Sequence, residues 1–426
     1  MKIWQWVVGA VAATAVVATA GVGIAVQHER DSLVVAEPYQ MASPEPFPLV
    51  DASPQQIDVE ALRASLSKQA AHEDVGRLHV RVSNGVTGET IFDQDSTSPL
   101  RPASATKLLT AAAATLTLER DDVVNTEVVV DGEAATIIAR GDVWLTPEKL
   151  DELAAQVRDH GSVNAVYVDT SAWQEPTMMP GWDPEDIDAG YIAPMEPVMV
   201  YGARLGGATH GDEPRSHTPA LDVGRALAVR LGVDPKSVEL RDAPTGARVV
   251  GTVESPPLHE RLREMMKDSD NVMAEAIGRE IARARQHDGK GATAPQATLD
   301  VLREAGFDLS GVTLKDSCGL STEDLIPPKL LDDVLLRATQ SEDLRPVLDT
   351  LAVAGGDGTL VKRYGDLPGK GWVRAKTGTL TGTSALVGTV TSRAGNVYTF
   401  AAISNDSDIE TARAALDRFA STLRDF

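Results

Sequence analysis

Trp372-Val373-Arg374-Ala375-Lys376-Thr377-Gly378-Thr379, near the C-terminus, reads as a β-strand whose end carries a lysine, a glycine and two threonines. Two more strand-like runs follow, Ala385 to Ser392 and Val397 to Ser404, with Gly382 and Arg393-Ala394-Gly395-Asn396 at the turns. Ile409 to Arg424 then repeats apolar residues at helical spacing. Far upstream, Leu78-His79-Val80-Arg81-Val82 alternates, a turn with Gly85 and Gly88 follows, and Thr90-Ile91-Phe92 resumes, which reads as a β-hairpin. An early hairpin, three late antiparallel strands and a terminal helix predict one sheet built from both ends of the chain. Helices should lie on its faces, an α/β (α+β) fold with an antiparallel sheet.

Between these ends the pattern changes. Asp58 to Ala71 is helical, with Val59, Leu62 and Leu66 on one side. Pro102 and Leu108 to Leu118 read as the start and body of an apolar, alanine-rich helix. From about Val123 to Val253 short strands (Glu127 to Val130, Thr136 to Ala139, Ala165 to Val168, Val238 to Arg241) mix with helices (Leu150 to His160, Leu221 to Leu231). Trp173 to Pro197 reads as loop, and helices resume from Pro257 through Arg285. Residues 57–122 and 254–426 are therefore expected to form the main body, with 123–253 an inserted α/β module.

Lys2 precedes an almost unbroken apolar run from Ile3 to Val26, long enough to span a bilayer. Ala18-Thr19-Ala20 offers a signal-peptidase match within it. The length of the run and its short basic start favour an uncleaved anchor over a cleaved signal in residues 1–28. Pro38, Pro44, Pro46, Pro48 and Pro54 make residues 29–56 an extended stalk. Either reading of the apolar run places the body outside the cytoplasm, tethered to the membrane or released from it.

Composition narrows the function. The 426 residues are 42% hydrophobic, enough for a sizeable core, and the formal net charge of -22 argues against nucleic acid and against charge-driven binding to anionic lipid. Cys318 is the single cysteine, so no intrachain disulfide forms, and it reads as a buried structural residue. The eight histidines show no H-E-x-x-H or comparable spacing, so neither a metal nor a cofactor is expected.

Three short patterns carry the chemistry. Ser104-Ala105-Thr106-Lys107 is S-x-x-K, Ser269-Asp270-Asn271 is S-D-N, and Lys376-Thr377-Gly378 is K-T-G. S-x-x-K alone is weak, since about one or two matches arise by chance in a chain this long. Ser65-Leu66-Ser67-Lys68 is a second match, but it lies on a polar, amphipathic helix. Ser162-Val163-Asn164 sits in a turn before a strand. Ser104 starts an apolar helix, where a nucleophile can face a cleft near backbone N–H groups.

A serine hydroxyl needs a base, and residues three apart on a helix share a face, so Lys107 is placed to take the Ser104 proton. Lys107 must then be neutral, which burial and a second cation, Lys376, both favour. Ser269 is placed to pass a proton to the departing amine, and Asn271 to hold the substrate backbone. The strand through Lys376, Thr377, Gly378 and Thr379 is placed to pair with an extended substrate. Its Thr379 N–H, with that of Ser104, would form an oxyanion hole. The Thr377 and Thr379 hydroxyls, backed by Lys376, are placed to bind a free carboxylate.

The ordered triple is the signature of penicillin-binding proteins and class A β-lactamases. The residues between sharpen the likeness: Leu258-His259-Glu260, Ala274-Glu275, Asp316-Ser317-Cys318-Gly319-Leu320-Ser321, and Ala354-Gly355-Gly356-Asp357-Gly358-Thr359-Leu360. From about Leu78 to the C-terminus the chain resembles the low-molecular-mass class C penicillin-binding proteins, peptidase family S13. That resemblance implies a penicillin-recognising transpeptidase fold with an insertion between the first two motifs. It also implies a D-Ala-D-Ala carboxypeptidase/endopeptidase acting on peptidoglycan stem peptides and acylated by β-lactam antibiotics. Two departures stand out: an insertion shorter than usual, and Ser317-Cys318 where the family has Gly-Ser. Gly181-Trp182-Asp183 resembles a family loop and reads here as a packing tryptophan. A class A-like β-lactamase and a catalytically silent cell-wall scaffold are the alternatives. The long insertion and the stalk count against the first, and the intact motif residues against the second.

Overall fold

Asp58 caps the first helix, α1 (Val59–Ala70), by accepting from the Ala61 N–H, and Leu62, Leu66 and Ala70 bury one stripe of it. The computed structural model describes residues 57–173, 176–286 and 293–426, so the apolar N-terminal run and the proline-rich stretch lie outside the described residues. β1 (Arg77–Asn84) and β2 (Thr90–Gln94) form the expected hairpin. A 3₁₀ turn, Ala103–Thr106, runs directly into α2 (Lys107–Thr117). β3 (Asn125–Asp131), β4 (Ala134–Ile138) and β5 (Asp142–Leu145) follow, then α3 (Pro147–His160), capped by Thr146 with Pro147 in its first turn. β6 (Ala165–Asp169), β7 (Val198–Val200), α4 (Pro219–Leu231), β8 (Glu239–Leu240) and β9 (Arg248–Glu254) complete this stretch.

The chain then returns through α5 (Leu258–Asp268), α6 (Asn271–Ala284), α7 (Ala294–Glu304) and α8 (Pro328–Gln340). β10 (Ala352–Val353), β11 (Val373–Leu380), β12 (Thr383–Thr391), β13 (Val397–Asn405) and α9 (Ile409–Arg424) close it.

The main sheet has the order β10-β11-β12-β13-β1-β2, all antiparallel, so both ends of the chain meet where β13 pairs with β1. Its central strands, β12 and β13, are buried on both faces. Leu386, Val390, Phe400 and Phe419 belong to a layer with α1 and α9, while Ala385, Val387, Ala401 and Ile403 face α2 and α8. Each fully buried leucine or phenylalanine contributes roughly 1.5–3 kcal/mol of transfer free energy. The edge matters most for function. β10 pairs only with Arg374 and Ala375, so among the described residues the half of β11 from Lys376 to Leu380 has no strand on its outer side.

A second sheet, β8-β6-β4-β3-β9, draws on residues between the first two motifs, and α3 and α4 bury its apolar face. The sequence pattern misses three strands here. β5, β7 and β9 are short or begin with exposed residues, and β5 and β7 pair with each other in a separate two-stranded ladder. The segment also divides. Val143, Trp144, Met179, Trp182, Ile192 and Met199 pack into the main helical core rather than against the second sheet. Among the described residues from Trp173 to Pro197 the structure is loop, as expected, apart from one short helical turn at Glu185–Asp188. Among the described residues no helix is long and apolar enough to cross a membrane.

Candidate active site

Pro102 ends an extended segment, and Ala103 takes φ +49, which turns the chain sharply into the 3₁₀ turn. Ser104 therefore sits in the 3₁₀ turn, three residues before α2 rather than in its first turn, and Lys107 is the first α-helical residue. The turn is pressed between two other motifs. A Cβ on Gly378 would stand 2.4 Å from Pro102 O, and one on Gly319 would stand 2.0 Å from Ala103 O. Only glycine lets β11 and the loop after Asp316 come this close.

Lys107 is completely buried, and its Nζ has three neighbours: Ser104 Oγ at 2.9 Å, Asn271 Oδ1 at 2.7 Å and Cys318 O at 2.8 Å. A neutral amine has two N–H groups and one lone pair. When Lys107 is neutral, the amide and backbone carbonyl oxygens, which only accept, take its two N–H groups and leave the lone pair facing the serine hydroxyl. Burial lowers the pKa of Lys107, with Cys318, Asp316, Asp270 and Glu275 opposing. Lys376 is pushed far below the usual lysine range, first by burial and then by the neighbouring Lys107.

Ser269 ends α5 at φ +61, and Asp270 caps α6 by accepting from the Met273 N–H. This kink turns Ser269 Oγ toward Lys376 Nζ, which donates to it at 2.8 Å and to Thr377 O at 2.8 Å. Thr377 Oγ1 donates to Thr359 Oγ1 at 2.9 Å. An open cleft is lined by Ser104, Ser269, Asn271, Thr377, Thr379 and Arg413. All three motifs thus meet, with Ser104, Lys107, Ser269, Asn271, Lys376, Thr377, Gly378 and Thr379 in one place. Ser65 and Ser162 do not line the cleft: Ser65 lies on α1, and Ser162 is an exposed residue before β6.

Two placements differ from the sequence reading. Lys376 is 1% exposed and held under Ser269, so the accessible cation beside Thr379 is Arg413, whose Nη2 donates to Thr379 Oγ1 at 2.9 Å. The Asn271 amide is already engaged: Oδ1 accepts from Lys107 and Nδ2 donates to Tyr191 O at 3.1 Å. Sequence reasoning missed Arg413, Thr359 and the carbonyls of Cys318 and Tyr191. Carbonyls leave no trace in residue type, and Arg413 is one polar residue of an amphipathic helix.

Behind Lys107 lies a buried hydrogen-bond cage. Asp316 Oδ1 accepts from the N–H groups of Cys318 and Gly319, and its Oδ2 accepts from the Ser321 N–H and from Trp182 Nε1 at 3.0 Å. The tryptophan therefore packs, as expected, and also tethers this loop. Burial and then the neighbouring Asp316 push Glu275 up to about 8, and the same two causes push Asp324 up to about 10, so both carboxyls are neutral at pH 7. Glu275, Asp316 and Cys318 are close enough to invite a metal. The donor set does not suit one. Asp316 is saturated by N–H donors, and burial raises the Cys318 thiol well above its ordinary range.

The sequence pattern of the D-Ala-D-Ala carboxypeptidase 3 (S13) family matches residues 62–211 and 206–423. The chain belongs to the S13 family. Among curated relatives, Carboxypeptidase DacB of Mycolicibacterium smegmatis is 44% identical over 414 residues, covering 91% of this chain and 89% of that one. A carboxypeptidase of Mycobacterium tuberculosis is 42% identical over 84% of this chain and 83% of its own. Among solved structures, penicillin binding protein 4 of Haemophilus influenzae shares the fold, with a TM-score of 0.72 at 23% identity over 86% of this chain and 98% of that one. The S13 chain described here therefore has the same fold as that penicillin binding protein.

Proposed function

We propose that the protein is a serine-type D-Ala-D-Ala carboxypeptidase, with endopeptidase capacity, that acts on peptidoglycan stem peptides outside the cytoplasm through an acyl-enzyme on Ser104. The observation that carries this reading is the Lys107 amine, buried, flanked by two pure acceptors and directed at Ser104 Oγ.

A stem peptide lies along the open half of β11 as an added strand. Lys107 takes the Ser104 proton as Oγ attacks the carbonyl between the two D-alanines, and the Ser104 and Thr379 N–H groups receive the oxyanion. The tetrahedral intermediate collapses as the leaving nitrogen takes a proton through Ser269, which Lys376 holds in place. Free D-alanine departs, an ester remains on Ser104, and water activated by the same base cleaves it. A β-lactam follows the first half of this route, but its leaving nitrogen stays tethered in the opened ring, which slows release. Thr377, Thr379 and Arg413 read the terminal carboxylate, since Lys376 is buried beneath them.

The apolar run Ile3 to Val26 supports an N-terminal tether, residues 29–56 a stalk, and 123–253 an inserted module. Intact-mass measurement after penicillin treatment tests the central assignment. One adduct is expected, absent in Ser104→Ala. An adduct that survives that change refutes it. Rapid turnover of penicillin would indicate a β-lactamase, and no adduct at all a silent scaffold.

A further inference from the structure

Two arginines from the segment between the first and second motifs converge on one carboxylate of the second. Arg204 Nη2 and Arg215 Nη2 both donate to Asp270 Oδ2, at 2.5 and 2.7 Å, and all three side chains are buried. Burial pushes the Asp270 carboxyl upward, and the two guanidiniums overcome it and hold it well below the usual carboxylate range. The remaining N–H groups grip backbone. Arg215 donates to Gly190 O at 2.8 Å and Gly202 O at 2.7 Å. Arg204 donates to Gly211 O and Tyr201 O, both at 2.9 Å. Asn271 Nδ2 adds Tyr191 O, so the adjoining carbonyls of Gly190 and Tyr191 are tied to Arg215 and Asn271 together.

The backbone on both sides of this grip is strained. Tyr201, Gly202 and Ala203 take φ +49, +62 and +67 in succession, and Ser269 takes +61. Non-glycine residues adopt the left-handed region reluctantly and keep it only where their surroundings over-determine it. Here one carboxylate and two guanidiniums supply that determination. The residues next to Asp270 are Ser269 and Asn271, which hold Lys376 and Lys107.

We propose that Arg204 and Arg215 are positioning residues of the active site: through Asp270 they set the placement of Ser269 and Asn271, so that the segment around residues 190–216 controls the acylation rate. This rests on Ser104 and Lys107 being the reacting pair.

The test is single-turnover acylation of the full chain by penicillin, resolved into a saturating rate and a half-saturating concentration well below each variant's melting temperature. Arg215→Met removes the grip, Arg215→Lys keeps the charge, and Gly202→Ala keeps every charge. The alanine Cβ would stand 2.8 Å from Arg215 Nη1 and displace it. A displacement approaching 1 Å should slow acylation roughly 100-fold. Arg215→Met is therefore expected to fall by about that factor, and Arg215→Lys and Gly202→Ala by roughly tenfold, with half-saturating concentrations within about twofold. Variants that melt earlier yet acylate at the unmodified rate would overturn the proposal and leave a purely structural ion pair. If Arg215→Met fails to fold, the other two variants decide alone. An adduct persisting in Ser104→Ala would instead remove the underlying assignment, whatever the arginine variants do.

Discussion

Arg413→Met is the sharpest probe of how the enzyme tells a stem-peptide end from its interior. Arg413 reaches from α9 to Thr379 Oγ1 at 2.9 Å and shares its other Nη with Glu410 at 2.8 Å. A guanidinium and a carboxylate about 4 Å apart attract by ~4 kcal/mol at an effective dielectric of ~20, which is an upper bound. The Arg413 side chain is 35% exposed and already half committed to Glu410, so solvent screening and competition reduce that sharply. A charge-assisted hydrogen bond retained in a partly dry cleft is worth about 1.5–2 kcal/mol, or roughly 10- to 30-fold in rate. The assay compares kcat/KM for a peptide ending in D-Ala-D-Ala with the same peptide amidated at its C-terminus. Arg413→Met should lower the acid by that factor and the amide by less than about twofold, with Arg413→Lys in between. A ratio of acid to amide that is unchanged in Arg413→Met refutes the reasoning. If Lys376→Met alone changed that ratio, the buried lysine would be reading the carboxylate after all.

Lys107→Arg keeps a cation in place but cannot readily give up its proton, so penicillin acylation should fall by roughly 10³-fold or more, and a near-normal rate would rule out the base. Glu275→Gln bears on stability. Burial raises the folded-state pKa of Glu275 from 4.5 to about 8, so the folded protein holds a proton that the unfolded chain releases, and stability declines as pH rises between those values. The glutamine variant should show a flatter melting temperature from pH 5 to 8, read by calorimetry, and an unchanged slope would contradict a protonated Glu275. A reporter that works only outside the cytoplasm, fused after Phe426, should be active, and a cytoplasmic reporter silent. The opposite pattern would overturn the localisation.

The sheet was legible because its strands obey simple rules. β12 and β13 are apolar runs between turn residues, and α9 was expected at about Ile409 to Arg424, where the structure has it, with Asp408 found as its cap and a clean stripe from Ala412 to Leu423. The candidate reactive residues were legible for a different reason: Ser104 and Lys107 are local neighbours on one turn, and the two other motifs match by type and order. What stayed hidden is tertiary. Asn271 reaches Lys107 across 164 positions. The positive φ of Ala103 and Ser269 reflects packing from Gly378, Gly319 and the Asp270 grip, which no local propensity encodes. Short strands such as β5 and β7 lack enough residues for a period to show.

Because β1 pairs with β13, the sheet cannot be completed until the last strand has emerged. A chain made from its N-terminus presents Ser104 early, while Lys376 and Arg413 arrive near the end. Such long-range pairings also slow folding, since distant segments must be brought together before their contacts stabilise anything. The proposed nucleophile is thus produced long before the second lysine and the strand that carries it. A nascent chain holds a serine with no competent cleft, unable to cut cell wall or to be spent on an antibiotic. Catalytic competence in this architecture comes last, as a property of the finished molecule.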